Sequence, residues 1–259
     1  MLTAEAMPSA TATAPKNEPG DARGTVFLLD VDNTLLDNDR FADDLDTRLR
    51  QDFGTAGRDR YWSLYAGLRD QLGYADYLGT LQTFRAGLDE HPELLQMSAF
   101  LLEYPFAQRL YPRALEAIAH LGRLGTPVIL SDGDMVFQPR KVQRSGLWDA
   151  VAGRVSIHIH KQGALQAVQQ RYPAAHYVMV DDKPQLLAAM KQVLGARMTT
   201  VFVRQGHYAL ASADTVIDPA PDLRIERIDQ LIGLDPSHFT SIPPEHVKVS
   251  APASIQEQT

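Results

Sequence analysis

Four stretches of this chain that read as strands each end in residues that can do chemistry. Val26-Phe27-Leu28-Leu29 leads into Asp30 and Asp32, and Val128-Ile129-Leu130 leads into Ser131-Asp132-Gly133-Asp134. A third run ends near His160 and is followed by Lys161, and Tyr177-Val178-Met179-Val180 leads into Asp181-Asp182-Lys183-Pro184. Ionised carboxylates at the end of a hydrophobic run need a partner, because burying an unpaired charge is costly. If the four ends converge, their carboxylates repel one another until a cation joins them, and hard oxygen ligands with room for water suit Mg²⁺. Such a cation neutralises charge on a phosphoryl group and holds a carboxylate deprotonated as a nucleophile. Ser131, Lys161 and backbone N–H groups can hold the remaining phosphate oxygens.

Taken singly, each end has a plainer reading. Asp-x-Asp-Asn and Ser-Asp-Gly are turn chemistry, and Asp181-Asp182 before Pro184 can simply start a helix. Lys161 at a helix start opposes the macrodipole by about 0.3–1 kcal/mol, a sign that nearby negative charge reverses.

The elements that must position these residues follow from periodicity. The sequence predicts strands over Thr25–Asp30, Pro127–Leu130, Arg154–Ile159, His176–Val180, Thr199–Val203 and Asp214–Ile217. Helices are predicted from Tyr111-Pro112-Arg113 through Leu121, then over Val136–Ser145, Lys161–Arg171, Pro184–Val193 and Leu223–Leu234. Strands alternating with helices make a parallel α/β sheet with helices on both faces, and its ligand site lies at the carboxyl ends of the strands. From Asn38 to about Leu102 only helical patterns occur, with Phe41, Leu45 and Leu49 on one face and Tyr61, Leu64, Tyr65 and Leu68 on another. Tyr74, Tyr77, Leu78 and Leu81 continue the pattern. An aromatic stripe of this kind reads first as helix–helix core and second as the lining of a substrate pocket. The division expected is a leader over residues 1–23, a core over 24–35 and 111–234, a helical unit over 36–110 able to move against it, and a flexible tail over 235–259.

Composition narrows the class. A chain of 259 residues can bury a full core, and a net charge of −7 offers no footprint for nucleic acid or an anionic membrane. With no cysteine, thiolate metal sites and cysteine nucleophiles are excluded and a cytoplasmic location is expected. No apolar run approaches a membrane span, and the leader lacks the apolar centre of a signal peptide. Nothing in the pattern bears on oligomeric state.

Asp30-Val-Asp-Asn-Thr-Leu35, Ser131, Lys161 and Asp181-Asp182, in that order, resemble the four signatures of the haloacid dehalogenase (HAD) superfamily of phosphohydrolases. The resemblance implies a Rossmann-like core with an α-helical cap inserted after the first motif. It makes Asp30 the nucleophile that becomes a phosphoaspartate, and Asp32 the general acid and then the general base. Ser131, with its neighbour Asp132, and Lys161 would bind the phosphoryl group of a small phosphorylated substrate. Mg²⁺ would be held by Asp30, the backbone carbonyl of Asp32 and the second acidic pair, Asp182 directly and Asp181 behind it. Dehalogenases of this superfamily lack the second aspartate, having no alkoxide to protonate, so Asp32 favours phosphate-ester hydrolysis. Phosphoryl transfer to another acceptor, as in a mutase, and a catalytically silent binding protein on the same fold are the alternatives. A receiver domain combines similar groups but puts its acidic pair first. Arg58, Arg60, Arg69 and Arg85 on the insertion read as a solvated face.

Overall fold

Four of the six strands are buried for most of their length, which is why they read as apolar runs rather than as alternating ones. In the computed structural model, which describes residues 24–88, 91–212 and 215–239, they form one parallel sheet. The strands are β1 (Thr25–Leu29), β2 (Thr126–Asp132), β3 (Val155–His158), β4 (His176–Asp181), β5 (Met198–Val203) and β6 (Leu223–Ile225), in the order β3-β2-β1-β4-β5-β6. Val26 pairs with Thr126 on one side and Tyr177 on the other, which fixes the register around the central strand. Successive residues of β1 feed two cores. Phe27 and Leu29 join one on the same face as Val178 and Val180, while Val26 and Leu28 join the other with Val128, Leu130 and Met179.

Helices fill the crossovers. Between β1 and β2 lie α1 (Asn38–Leu72), α2 (Tyr77–Phe84), α3 (Pro92–Glu103) and α4 (Ala114–Leu124). Later come α5 (Phe137–Arg144), α6 (Leu147–Ala150), α7 (Leu165–Arg171), α8 (Pro184–Leu194) and α9 (Gly206–Ala211). No helix among the described residues is long and apolar enough to cross a membrane. At its start α1 is capped by Asp37, whose side chain accepts from Arg40 N at 2.9 Å, and it is interrupted at Gly54. Gly54 has φ 68°, a conformation that side chains resist, and a Cβ there would meet nothing within 4 Å, so backbone conformation alone calls for glycine.

The chain enters and leaves the helical insertion at one place. Leu36 and Leu110 form an antiparallel bridge, Asp37 N donates to Arg109 O at 2.7 Å and Tyr111 N donates to Leu35 O at 3.0 Å. Above this neck, Phe41, Leu45, Tyr61, Met97 and Leu101 are buried in a core continuous with one face of the sheet.

Three readings of the sequence change. Asp214 lies outside the described residues, and Thr215–Ile217 is not a strand: Val216 is 94% exposed. The sixth strand is Leu223–Ile225, pairing parallel to β5, in what the sequence assigned to a last helix. Three residues are too few to show a period. The remainder of that helix is a 3₁₀ segment over Ile228–Gly233 that buries Ile228 and Leu231, a spacing of three that an α-helical pattern shares. Lys161 opens a 3₁₀ turn over Lys161–Ala164 before α7 begins. The leader (1–23) and residues 240–259 of the tail lie outside the described residues. At the start of that tail, Pro236–Phe239 forms a turn whose buried Phe239 meets Phe27 edge-on, ring centroids 5.1 Å apart.

Candidate active site

The strand order brings the carboxyl ends of β1, β2, β3 and β4 side by side, and with them all four signatures. Asp30 continues the line of β1, its N–H donating to Val180 O at 3.0 Å, which sets it beside Asp181 and Asp182 at the end of β4. Asp30, Asp181 and Asp182 are buried and offer oxygens that all lie within 4.8 Å of one another. Lys161, also fully buried, places its ammonium against Asp30 Oδ1 and 2.6 Å from Asp181 Oδ2. Its backbone N–H donates to Asp132 Oδ1 at 2.6 Å. In this structure, then, Asp132 fixes the turn that aims Lys161.

The charges do not balance. Asp181 spends its other oxygen, Oδ1, on Lys183 N at 2.9 Å, while Asp30 Oδ2 and both Asp182 oxygens are buried with no hydrogen-bond donor among the described residues. Burial, then the neighbouring Asp181 and Asp30 charges, pushes the Asp182 carboxyl up to about 9. Burial likewise lifts Asp30 to about 7 against the pull of Lys161. Burial would lower the Lys161 ammonium, but Asp181 and Asp30 more than offset it and push it up. A compact set of hard oxygens, three of them unsatisfied, fits a divalent cation such as Mg²⁺.

Asp32 stands apart from this group. Its carboxylate, 30% exposed, accepts from Lys141 Nζ at 2.7 Å and from Gln138 Nε2 at 3.2 Å. Its hydrogen-bond partners are thus an amide and an ammonium, while its charge still reaches the neighbouring Asp30 carboxylate. Gln138 also donates to Ser131 Oγ at 2.9 Å, linking phosphoryl-binding and acid–base candidates. Gly133, at φ 156°, makes room for this: a Cβ there would sit 2.8 Å from Gln138 Cβ.

Lys141, on α5 like Gln138, is with it a residue that sequence reasoning missed. It is 1% exposed and spans two parts of the molecule, pairing with Asp32 below and donating to Asn38 Oδ1 of α1 at 3.0 Å. Four rings, Phe41, Tyr77, Phe106 and Phe137, lie 5.4–6.0 Å from the ammonium. The one available signal was its spacing of four from Phe137, which puts a lysine on the buried face of α5. Asp32, Asp132 and Lys183 open onto a cavity of about 300 Å³ whose far wall is α1 and the loop after it, with Trp62, Tyr65 and Arg69. The aromatic stripe thus has both fates: Tyr61 is core, its hydroxyl donating to Tyr77 O at 3.0 Å, while Tyr65 lines the cavity beside Trp62, which lay outside that stripe.

A thermal melt tests the cation site. At a hundredfold excess over its dissociation constant, Mg²⁺ should add about 2.7 kcal/mol, on the order of 5–10 °C for a chain of this size. Without metal the sign with pH is set by Asp182: between about 4, the unfolded carboxyl, and about 9, the folded protein binds more protons than the unfolded one. Stability therefore falls as pH rises across that window in EDTA, and Asp30 adds to the fall up to about 7. Asp182→Asn should flatten the slope, melt no lower than wild type in EDTA, and lose most of the Mg²⁺ response. A variant that melts lower in EDTA yet keeps the full response would make Asp182 a structural residue.

Comparison with known proteins agrees with this architecture. Residues 25–193 match the family model of haloacid dehalogenase-like hydrolases. A haloacid dehalogenase-like hydrolase from Burkholderia xenovorans LB400 is 54% identical, with a TM-score of 0.77 over 83% of this chain and 98% of that one. Two more distant structures share the fold. YfnB, a HAD-hydrolase from Bacillus subtilis solved bound to magnesium, is 20% identical, with a TM-score of 0.54 over 82% of this chain and 98% of that one. A 2-haloacid dehalogenase from Pseudomonas syringae is 17% identical, with a TM-score of 0.55 over 80% and 96%. No curated protein matches the chain. By the family model and the Burkholderia relative, with the helical insertion between β1 and β2, this chain belongs to the haloacid dehalogenase-like hydrolase family.

Proposed function

We propose that the protein is a Mg²⁺-dependent phosphomonoester hydrolase that works through a phosphoaspartate on Asp30. The observation that carries phosphate-ester hydrolysis over halide displacement is Asp32: a second carboxylate, two residues from the nucleophile, held at the floor of the cavity by Lys141 and Gln138. An alkoxide leaving group needs a proton there, and a halide does not.

Asp30 forms the bond to phosphorus as the ester P–O bond breaks, and Asp32 gives the leaving oxygen its proton. Asp32 then takes a proton from water, which attacks the phosphorus and releases phosphate and free Asp30. Ser131 and Lys161 hold the non-bridging oxygens, and Gln138 keeps Ser131 and Asp32 in one frame. Asp30 and Asp182 would hold the cation directly, with Asp181 behind them occupied by Lys161; magnesium is also what YfnB was solved with. When bound, the cation offsets the repulsion between a carboxylate nucleophile and a phosphate dianion. The insertion, joined to the core by the paired neck at Leu36 and Leu110, would act as a cap that excludes water during transfer to Asp30.

The test is an assay of 4-nitrophenyl phosphate and a panel of phosphate esters with Mg²⁺ and with EDTA, beside 2-chloropropionate. Phosphate release that needs Mg²⁺, with no chloride release, is expected. Chloride release without phosphate release would make the protein a dehalogenase.

A further inference from the structure

The cavity above Asp32 has an uneven inventory of unused groups. Each carboxylate on its wall is already taken: Asp32 by Lys141 and Gln138, Asp132 by Lys161 N, and Asp39 by His207 N, the His207 ring and Asn33. The two cations on the wall, Arg69 and Lys183, have no acceptor among the described residues. The Lys183 ammonium lies 4.8 Å from the centre of the Tyr208 ring on one side. Burial would lower it, but the charges of Asp30, Asp181 and Asp182 behind it more than offset that and push it up, so Arg69 is the wall's uncompensated cation.

The apolar part of the wall is aromatic. Trp62 and Tyr65 meet edge-on at 5.3 Å, and Tyr65 and Tyr77 lie 5.0 Å apart with their planes tilted by 32°. Trp62 spends its only donor away from the cavity, on Asp46 Oδ1 at 2.9 Å, so what it offers a ligand is ring surface. Trp62, Tyr65 and Arg69, spaced by three and four, share one side of α1, which puts a guanidinium with no acceptor among the described residues on the same cavity wall as two rings.

From this juxtaposition we infer that the ester's leaving group carries a flat aromatic ring, seated against Tyr65 and Trp62 with Arg69 and Lys183 towards its face. The inference rests on the phosphohydrolase reading for the scissile group and deepens it by naming the class of leaving group. Rings stack on rings, and cations are drawn to ring faces, whereas an aliphatic group of the same size gains neither. A cavity of about 300 Å³ has room for a single ring with small substituents.

The experiment compares benzyl with cyclohexylmethyl compounds, matched in size and both alkyl esters, so that leaving-group chemistry is held nearly constant. Cyclohexyl is the more apolar group, so burial of area alone favours it. Dissociation constants of benzylphosphonate and cyclohexylmethylphosphonate are measured by calorimetry on the full chain with Mg²⁺, and kcat/KM is measured for the two phosphate esters. Benzyl is expected to win by about fivefold in both, the scale of one well-placed aromatic contact. Tyr65→Leu should bring the ratio close to one, and Arg69→Gln, at an exposed position, should lower it without threatening the fold. Equal affinities, a preference for cyclohexyl, binding of neither phosphonate, or a benzyl preference indifferent to both variants would overturn the ring site. A benzyl preference in phosphonate binding with no turnover of either ester would instead overturn the phosphohydrolase reading and leave the ring site standing.

Discussion

Asp30→Asn is expected to reduce Mg²⁺-dependent phosphate release by at least about a thousandfold while leaving the protein folded. The amide cannot form the acyl phosphate, so the loss is in kcat rather than in substrate affinity. The fold should survive because Lys161 keeps Asp181 at 2.6 Å as its counter-ion and an amide oxygen at position 30 can still accept from it. Phosphate release with single-turnover kinetics, alongside a melt in EDTA, reads both parts. Undiminished turnover in a folded Asp30→Asn protein would remove Asp30 from the nucleophile's role.

Asp32→Ala should do more than stop chemistry: it should destabilise the protein by about 3 kcal/mol, because the Lys141 ammonium loses its carboxylate inside a ring-lined pocket. That is roughly 6–12 °C in melting temperature for a chain of this length. Asp32→Asn, which keeps an oxygen for Lys141, should cost less. The decisive comparison is the cycle with Lys141→Met. Met fills the space among Phe41, Tyr77, Phe106 and Phe137 without a charge, so Asp32→Ala/Lys141→Met should regain most of the loss. If the two changes simply add, the pair is not what holds Lys141 in place. An inactive Asp32→Ala protein is therefore evidence for acid–base catalysis only when its folded fraction is measured beside its activity.

The chemistry-bearing residues were legible because each follows a strand, three of them with an unmistakable buried run, and because a parallel sheet collects such ends on one edge. Asp30, Lys161, Asp181 and Asp182 lie together at those ends, and Ser131 is tied to Asp32 through Gln138. Lys141 was not legible, since its partner Asp32 is 109 positions away and Phe137-Gln-Pro-Arg-Lys-Val-Gln-Arg144 reads as a mostly solvated helix. Periodicity put Tyr61 and Tyr65 on one stripe but does not say what covers each ring; one is core and the other lines the cavity. The polar composition after Asp235 likewise concealed Phe239, whose burial against Phe27 is a single long-range contact that no local pattern announces.

The paired neck at Leu36 and Leu110 makes the helical insertion a graft. Its two ends leave the core within one hydrogen bond of each other, so the core supplies the same attachment whatever the length or shape of what lies above it. Selection can exchange or rebuild the grafted part to suit a new substrate while the pairing of Val26 with Thr126 and Tyr177, and with it the setting of Asp30, stays fixed. The rootstock sets one condition. Lys141 reaches through the join to Asn38 and is walled by Phe41 and Tyr77, so any replacement graft must bring its own lining for a buried ammonium, or the lysine must change with it.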